Sequence, residues 1–168
     1  MTEIRTSLVI PCYNEAAGIS HLCHRLKALV AELTPDGPVE VLFIDDGSTD
    51  ETVRVARENG VDHVVSLSHN QGLARAFMAG LVAAAERGAD VIVNTDADNQ
   101  YRAADIPRLI APILAGEADI VVGSRPIGAI RHFSATKRLL QRLGSGVVRR
   151  VSGTAVRDAP SGFRAFTA

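Results

Sequence analysis

The feature that most limits the fold of this 168-residue chain is the alternation of short β-branched apolar runs with longer segments of helical periodicity. Helices of this length between strands indicate βαβ units, which build a mostly parallel sheet with helices on both faces. The sequence therefore predicts an α/β fold. Strands are predicted at 7–11, 39–45, 63–68, 90–95 and 119–124, and helices at 15–33, about 50–59, 72–88 and 105–115.

The last third of the chain has a weaker pattern. A helix fits residues 133–150, with an interruption near Gly144 and Gly146, and the tail SGFRAFT fits a final strand. The sequence has no internal repeat, no low-complexity segment and no domain boundary before about residue 130, so a single domain over residues 1–168 is expected.

Charge is distributed unevenly along the chain, which has 18 basic and 19 acidic residues. No acidic residue occurs between Asp119 and Asp158. An acidic body with a basic C-terminal segment predicts a partner with phosphates or an anionic membrane surface, and a solvated basic helix is the alternative. The segment holds eight basic residues, namely Arg125, Arg131, Lys137, Arg138, Arg142, Arg149, Arg150 and Arg157.

Several classes of protein are disfavoured by what the sequence lacks. Cys12 and Cys23 have no metal-ligand spacing, and reduced thiols are the expectation. No run approaches the roughly 20 apolar residues of a membrane span, and the N-terminus does not resemble a signal peptide, so a cytoplasmic chain is expected. Neither G-x-G-x-x-G nor G-x-x-x-x-G-K-[ST] is present, which argues against a Rossmann dehydrogenase and a P-loop enzyme.

Polar motifs follow each of the five predicted strands. In open α/β sheets, ligands bind beyond the carboxyl ends of the strands, so these motifs are predicted to line one common edge. The motifs are PCYNE, DDGSTD, HNQG, DADNQY and GSRP, in chain order.

The fourth motif predicts a metal site. Asp96 and Asp98 are spaced so that both carboxylates can face one ion, while Ala97 points away and Gln100 offers a neutral oxygen. Such oxygen ligands suit a hard divalent cation, Mg²⁺ or Mn²⁺. The alternative is that the aspartates are helix-capping or turn residues.

The second motif predicts a nucleoside pocket. Asp45 and Asp46 can accept hydrogen bonds from a ribose or a base, together with Tyr13 and Glu15 of the first motif. The S-x-x-E spacing that begins at Ser48 fits a capping box for the following helix. Phosphates would be neutralised by a metal and by basic residues, for which the candidates are Arg125, Lys137, Arg138 and Arg164.

Six motifs together resemble family 2 glycosyltransferases, and more narrowly the dolichol-phosphate mannose synthases and related polyprenyl-phosphate glycosyltransferases. The resemblance covers residues 7 to 167. It implies a GT-A fold, which is a Rossmann-like nucleotide-diphospho-sugar transferase fold. It also implies inverting transfer from a nucleotide-sugar (GDP-mannose or UDP-hexose), with Mg²⁺ or Mn²⁺, to a polyprenyl or dolichyl phosphate. The motifs are VIPCYNE, IDDGSTDET, NQGLARAFMAGL, DADNQY, ADIVVGSRP and DAPSGFRAF.

The resemblance also implies roles for individual residues. It divides the domain into a nucleotide-binding part, 1–125, and an acceptor-side part, 126–168. Asp96, Asp98 and Gln100 would bind the metal, and Asp96, Asp98 and Arg125 would be catalytic. The nucleoside would contact Pro11, Tyr13 and Glu15, and its base or ribose would be held by Ile44 and Asp46. The diphosphate would be bound by Asp96, Ala97, Asp98, Gln100 and Arg125, with Arg138 near the phosphates. Ser161 and Arg164 would lie on the acceptor side.

The last motif lacks an acidic pair, and this absence argues for a lipid phosphate as the acceptor. Many family members that glycosylate sugar hydroxyls carry a catalytic acidic pair in this region, whereas DAPSGFRAF has no such pair. A hydroxyl needs a general base, but a phosphate monoester is already largely ionised at neutral pH. A saccharide or other hydroxyl acceptor, with a base in downstream sequence, is the main alternative. A nucleotide-sugar-binding remnant without catalysis is another.

Relatives normally continue beyond this point, so we expect a C-terminally truncated catalytic core. The basic helix around 133–150 is expected to lie on an anionic bilayer at the cytoplasmic face. No nucleic-acid partner is expected. A haloacid-dehalogenase-like phosphatase is disfavoured because its D-x-D pair follows the first strand, and a nucleotidyltransferase because PCYNEAAG has no basic residue.

Overall fold

A computed structural model describes residues 3–33, 37–97, 103–124, 135–154, 156 and 158–168. The strands are β1 (Thr6–Cys12), β2 (Val39–Asp45), β3 (His63–Ser66), β4 (Val91–Asn94), β5 (Ile120–Val122) and β6 (Arg164–Thr167). The helices are α1 (Ala16–Leu33), α2 (Thr52–Glu58), α3 (Leu73–Glu86), α4 (Ile106–Leu114) and α5 (Ala135–Ser152), with a 3₁₀ turn at Ala103–Asp105.

The described strands form one six-stranded sheet in the order β3-β2-β1-β4-β6-β5. Strands β1 to β4 are mutually parallel, while β6 is antiparallel to both β4 and β5. The prediction of an α/β fold with a mostly parallel sheet is therefore confirmed, and the tail does form the last strand.

Successive apolar residues of the central strands point to opposite faces of the sheet, so both faces are packed against helices. Leu8, Ile10 and Phe43 point into a core shared with α1, α2 and α4. Val9 and Ile44 point to the opposite face, where α3 covers them. All five side chains are completely buried.

The predicted interruption of the last helix is wrong. Helix α5 is continuous through Gly144 and Gly146, and neither glycine has a positive φ. A glycine in a helix interior costs only about 1 kcal/mol relative to alanine, which an 18-residue helix can absorb.

Among the residues that the structure describes, no helix has both the length and the apolar character needed to cross a bilayer.

The topology brings the polar motifs to one edge. Strands β1 to β5 all run in the same direction, so the loops that follow them lie at the same edge of the sheet. We call this edge the rim; its described loop residues are 13–15, 46–51, 67–72, 95–97 and 123–124. Because β6 is antiparallel, the segment 158–163 that precedes it also enters the rim.

Candidate functional site

The first two loops of the rim are joined by hydrogen bonds. The Asn14 N–H donates to Ser48 Oγ at 3.0 Å, and the Thr49 N–H donates to Asn14 Oδ1 at 2.9 Å. Next to this pair, the Glu15 N–H donates to Thr52 Oγ1 at 2.8 Å. Asn14 has a φ of 54°, a left-handed conformation that asparagine tolerates better than most residues. The two loops therefore act as one unit.

Asp50 strengthens this junction. Its carboxylate accepts hydrogen bonds from the Thr52 hydroxyl and N–H, and from the Ala16 N–H at 3.3 Å. These bonds, with the Thr52 hydroxyl contributing most, lower the pKa of Asp50. The capping box expected at Ser48 is not formed, because the N-cap of α2 is Glu51 and the Ser48 hydroxyl accepts the Asn14 N–H instead.

The third loop is tied to the second by Asp46. Its two carboxylate oxygens accept the backbone N–H groups of Gln71 and Gly72, both at 2.8 Å. A Cβ on Gly47 would lie 2.4 Å from the carbonyl carbon of His69, so the two loops touch at a place where only glycine fits. Asp46 is 4% exposed. Any contact between Asp46 and a nucleoside would have to share oxygens that already position this loop.

The other predicted nucleoside residues differ in what they offer to a ligand. Tyr13 is 42% exposed and Glu15 is partly exposed at the rim. Ile44 and Pro11 are buried, and Ile44 packs under α3. The Ile44 side chain lies in the core, and the expected role of Ile44 at the base or ribose stays a prediction.

Cys12 lies at the end of β1, directly before the first rim loop, and the sequence disfavoured it as a metal ligand without predicting any other role for it. Its side chain packs in the core on the same face of the sheet as Leu8 and Ile10. Burial raises the pKa of its thiol to about 12, and the negative charges of nearby carboxylates add to this effect. The carboxylates near Cys12 make the surroundings of this thiol negatively charged. The carboxylates, in decreasing order of influence, belong to Asp45, Glu15, Asp50 and Asp46.

Asp96 lies where β4 meets the segment before β6. A Cβ on Gly162 would lie 2.5 Å from Asp96 Oδ2, so the carboxylate occupies space that only glycine leaves free. The Asn94 side chain donates to the Gly162 carbonyl at 2.6 Å and fixes the two segments together. Asn94 Oδ1 is buried and has no hydrogen-bond partner among the described residues. Ala97 is 5% exposed and packs in the core, so its methyl group points away from the rim.

The acceptor-side residues Ser161 and Arg164 are both engaged within their own segment. Ser161 is fully buried, and its hydroxyl accepts the Phe163 N–H at 3.3 Å. The Arg164 guanidinium donates to the carbonyls of Ser161 at 2.7 Å and Ala159 at 2.8 Å. Both residues thus shape the turn that carries Gly162 towards Asp96.

The remaining predicted site residues are not described structurally. Asp98, Gln100 and Arg125 lie outside the described residues, and Arg138 lies on α5 without a described side chain. Within the described ranges, no three His, Cys, Asp or Glu side chains come together as a metal site. The donor chemistry at the rim nevertheless fits a hard cation, because the Asp96 carboxylate supplies oxygen ligands and is held beside a glycine.

Comparison with known families gives a match over almost the whole chain. The model of the family described as glycosyl transferase family 2 matches residues 7–167. An undecaprenyl-phosphate mannosyltransferase of Micrococcus luteus is 33% identical, over 98% of this chain and 67% of that protein. A UDP-N-acetylglucosamine–dolichyl-phosphate N-acetylglucosaminyltransferase of Methanococcus voltae is 32% identical, over 95% and 68%. The chain spans from 46% to 68% of the length of these and other curated relatives.

A solved structure supports the same relationship. Glucosyl-3-phosphoglycerate synthase from Mycobacterium tuberculosis, in complex with Mn²⁺, uridine diphosphate and phosphoglyceric acid, superposes with a TM-score of 0.70. The sequence identity is 26%, and the match covers 98% of this chain and 56% of that one. The GT-A fold implied by the sequence motifs is therefore confirmed.

Proposed function

The chain belongs to glycosyl transferase family 2, and we propose that it forms the donor-binding core of a metal-dependent, inverting transferase that moves a sugar from a nucleotide-sugar to a polyprenyl or dolichyl phosphate. The observation that carries this proposal is the position of Asp96. Its carboxylate is held at the carboxyl end of β4, against Gly162, on a rim whose loops also carry Glu15, Asp46 and Asp50. In the sequence, an acid-free basic segment lies between Asp119 and Asp158.

The donor nucleoside would bind at the joined first and second loops. Tyr13 and Glu15 present the accessible side chains there, while Asn14, Asp50 and Asp46 hold the loops in place through backbone hydrogen bonds. A site whose loops are already fixed loses little entropy when the ligand binds. GDP-mannose and UDP-hexose are both candidate donors.

The divalent cation, Mg²⁺ or Mn²⁺, would be held by Asp96 together with Asp98 and Gln100. When bound, it stabilises the negative charge that develops on the departing nucleoside diphosphate. Gly162 leaves the Asp96 carboxylate room at the rim, and Ala97 keeps its methyl group in the core. Arg125 would add positive charge at the diphosphate.

The acceptor phosphate would act directly as the nucleophile. One of its oxygens forms a bond to the anomeric carbon as the bond from that carbon to the diphosphate oxygen breaks on the opposite face, which inverts the configuration. The acceptor phosphate is already ionised, so no general base is required. This agrees with the absence of acidic residues between Asp119 and Asp158, where Arg138 would orient the phosphate.

The acceptor class is supported by the names of relatives. Transferases that act on undecaprenyl phosphate and dolichyl phosphate match 95% or more of this chain at 32% identity or higher. A second candidate is transfer to a small hydroxyl acceptor, which is favoured by the structural similarity to glucosyl-3-phosphoglycerate synthase.

A lipid acceptor requires the protein to reach a membrane surface, and α5 has a suitable face. Leu143, Val147 and Val151 are 57%, 62% and 83% exposed and lie on one side of the helix, beside the exposed Arg150. Arg149 is also exposed, further around the helix. Apolar residues next to cationic ones on one helix favour binding to an anionic bilayer. We therefore propose peripheral contact of α5 with the cytoplasmic face of the membrane.

Calorimetric titration with uridine diphosphate and guanosine diphosphate, with Mn²⁺ and then with EDTA, tests the donor site. We expect metal-dependent binding of one nucleotide, and Asp98→Asn should weaken it at least about tenfold because a charged ligand of the metal is lost. Asp119→Asn is the matched control, since Asp119 is exposed next to β5 at the end away from the rim. An unchanged affinity for Asp98→Asn would refute the metal assignment.

The acceptor is tested separately by sugar transfer. Undecaprenyl phosphate should accept sugar from the donor that carries the bound nucleotide, and undecaprenol, which lacks the phosphate, should not. Transfer to phosphoglycerate in place of the lipid phosphate would support the second candidate.

A further inference from the structure

One exposed stripe of α3 has an apolar centre and opposite charges at its ends. Met78 and Val82 lie one turn apart and are 54% and 51% exposed. Both side chains are apolar, so burial would stabilise them and exposure to water does not. Beside them runs an open groove of about 420 Å³ between α3 and β3, whose floor includes Val65 and Leu67. The stripe consists of Arg75, Met78, Ala79, Val82, Ala83 and Glu86.

The groove lies at the border of the sheet. β3 is the outermost strand and pairs only with β2 within the described sheet. An outer strand beside an apolar groove is a surface that proteins usually cover or protect. No described segment of this chain covers the groove, since its lining residues include the exposed Met78 and Val82.

The stripe is complementary to itself when a second copy is turned end for end. An antiparallel α3 pair with its two-fold axis between Gly80 and Leu81 would place Met78 of one copy opposite Ala83 of the other. The same axis would place Val82 opposite Ala79, so that each large side chain meets a small one. Such matching of one patch with itself is what a two-fold interface requires.

The charges follow the same symmetry. Arg75 and Glu86 are eleven residues apart, roughly 16 Å along the helix, and the same axis would bring each opposite the other in the second copy. Both side chains are exposed, and neither takes part in a salt bridge within the described part of the chain. Two symmetric Arg–Glu pairs would therefore form at the ends of the apolar contact.

We propose that the α3 stripe is a homodimer interface, in which α3 packs antiparallel against α3 of a second copy. Met78 and Val82 of each copy enter the groove of the other, and Arg75 pairs with Glu86 at both ends. A single helix pair buries little area, so the dimer is weak and depends on concentration. This inference does not depend on the proposed transferase function.

Sedimentation equilibrium of four samples tests the proposal. Wild type should dimerise, and Arg75→Glu and Glu86→Arg should each raise the dissociation constant at least about tenfold, because like charges would face each other twice. An equimolar mixture of these two single variants should dimerise again, since every facing pair is then opposite in charge. The double variant Arg75→Glu/Glu86→Arg should also recover the wild-type constant.

Arg108→Glu, at an exposed position of α4, is the control for net charge and should leave the dimer unchanged. Circular dichroism should show that all variants fold, because the mutated side chains are exposed. The proposal is overturned if wild type stays monomeric at about 1 mM protein, or if it dimerises and Arg75→Glu has no effect. A mixture of the single variants that remains monomeric would overturn the antiparallel arrangement.

Discussion

At the scale of a single residue, the pKa of the Cys12 thiol responds to burial and to the negative charges of nearby carboxylates. Its thiol is buried at the end of β1, and the S–H group lies 3.6 Å from the Ile44 carbonyl. Burial is the largest reason why its pKa rises to about 12, followed by the carboxylate of Asp45 and those of three other acidic residues. The thiol is therefore expected to stay protonated and unreactive at neutral pH.

The raised pKa of Cys12 predicts how stability depends on alkaline pH. In the unfolded chain the thiol loses its proton near its usual value of 9.0, whereas in the folded chain it keeps the proton up to about 12. The unfolded state then binds fewer protons, so the free energy of unfolding falls as pH rises between these values. We expect a slope of up to about 1.4 kcal/mol per pH unit in wild type beyond that of Cys12→Ala.

Urea denaturation of both proteins at several pH values from 9 to 12 measures this difference. Lysines and tyrosines titrate in both proteins, so the variant removes only the contribution of the thiol. Parallel stability curves for wild type and Cys12→Ala across this range would show that the thiol has an ordinary pKa in the folded chain.

Contacts between distant residues were the part of the site that the sequence did not reveal. The D-x-D motif identified Asp96 from the chemistry of its side chain alone. The glycine that makes room for its carboxylate, Gly162, is 66 positions away, and no local pattern links the two. In the same way, the sequence suggested Asp46 as a ligand for a nucleoside, but its oxygens accept N–H groups from a loop 25 residues downstream.

At the scale of the elements, α3 lies against the sheet through a glycine. Gly80 is buried at the contact, and a Cβ there would lie 2.3 Å from Val9 Cγ1 and 3.0 Å from Ile44 Cγ1. Both neighbours are fully buried, so they cannot move without disturbing the core. The glycine thus sets the distance between α3 and the strands that carry the first two rim loops.

Two glycine-to-alanine substitutions should have opposite effects on stability. Gly80→Ala should destabilise by about 1–3 kcal/mol, because the clash outweighs the better helix propensity of alanine. Gly144→Ala should stabilise by up to about 1 kcal/mol, since the glycine is exposed on α5 and an added Cβ would have no atom of another element within 4 Å. Urea denaturation of the two variants beside wild type gives both values, and equal signs would contradict the assigned packing.

The order of the elements was predictable from the sequence, and their arrangement in the sheet was not. Hydrophobic periodicity placed β2 at its observed bounds and most other elements within about two residues, because each pattern is local. The insertion of β6 between β4 and β5 depends on pairing between residues far apart, such as Asn94 with Arg164. The break predicted at Gly144 is wrong because a glycine in a helix interior costs only about 1 kcal/mol relative to alanine, which is too little to interrupt an 18-residue helix.

At the scale of the whole molecule, acidic and basic regions are separated in a way that suits two anionic substrates. The rim carries the carboxylate of Asp96, which would hold a cation and, through it, the donor diphosphate. The acid-free stretch between Asp119 and Asp158 carries eight basic residues that would face the acceptor phosphate and the membrane. Neither region alone provides for both substrates.

This separation predicts binding to anionic membranes through α5. The protein should sediment with vesicles that contain phosphatidylglycerol but much less with vesicles of pure phosphatidylcholine, and binding should weaken as salt screens the charges. Arg149→Glu/Arg150→Glu should reduce the partition coefficient at least about tenfold, because each basic residue near an anionic surface contributes about 1 kcal/mol. The control Arg57→Glu/Arg108→Glu changes the net charge equally at exposed positions of α2 and α4. An equal loss in both variants would mean that net charge, and not the α5 face, directs the protein to the membrane.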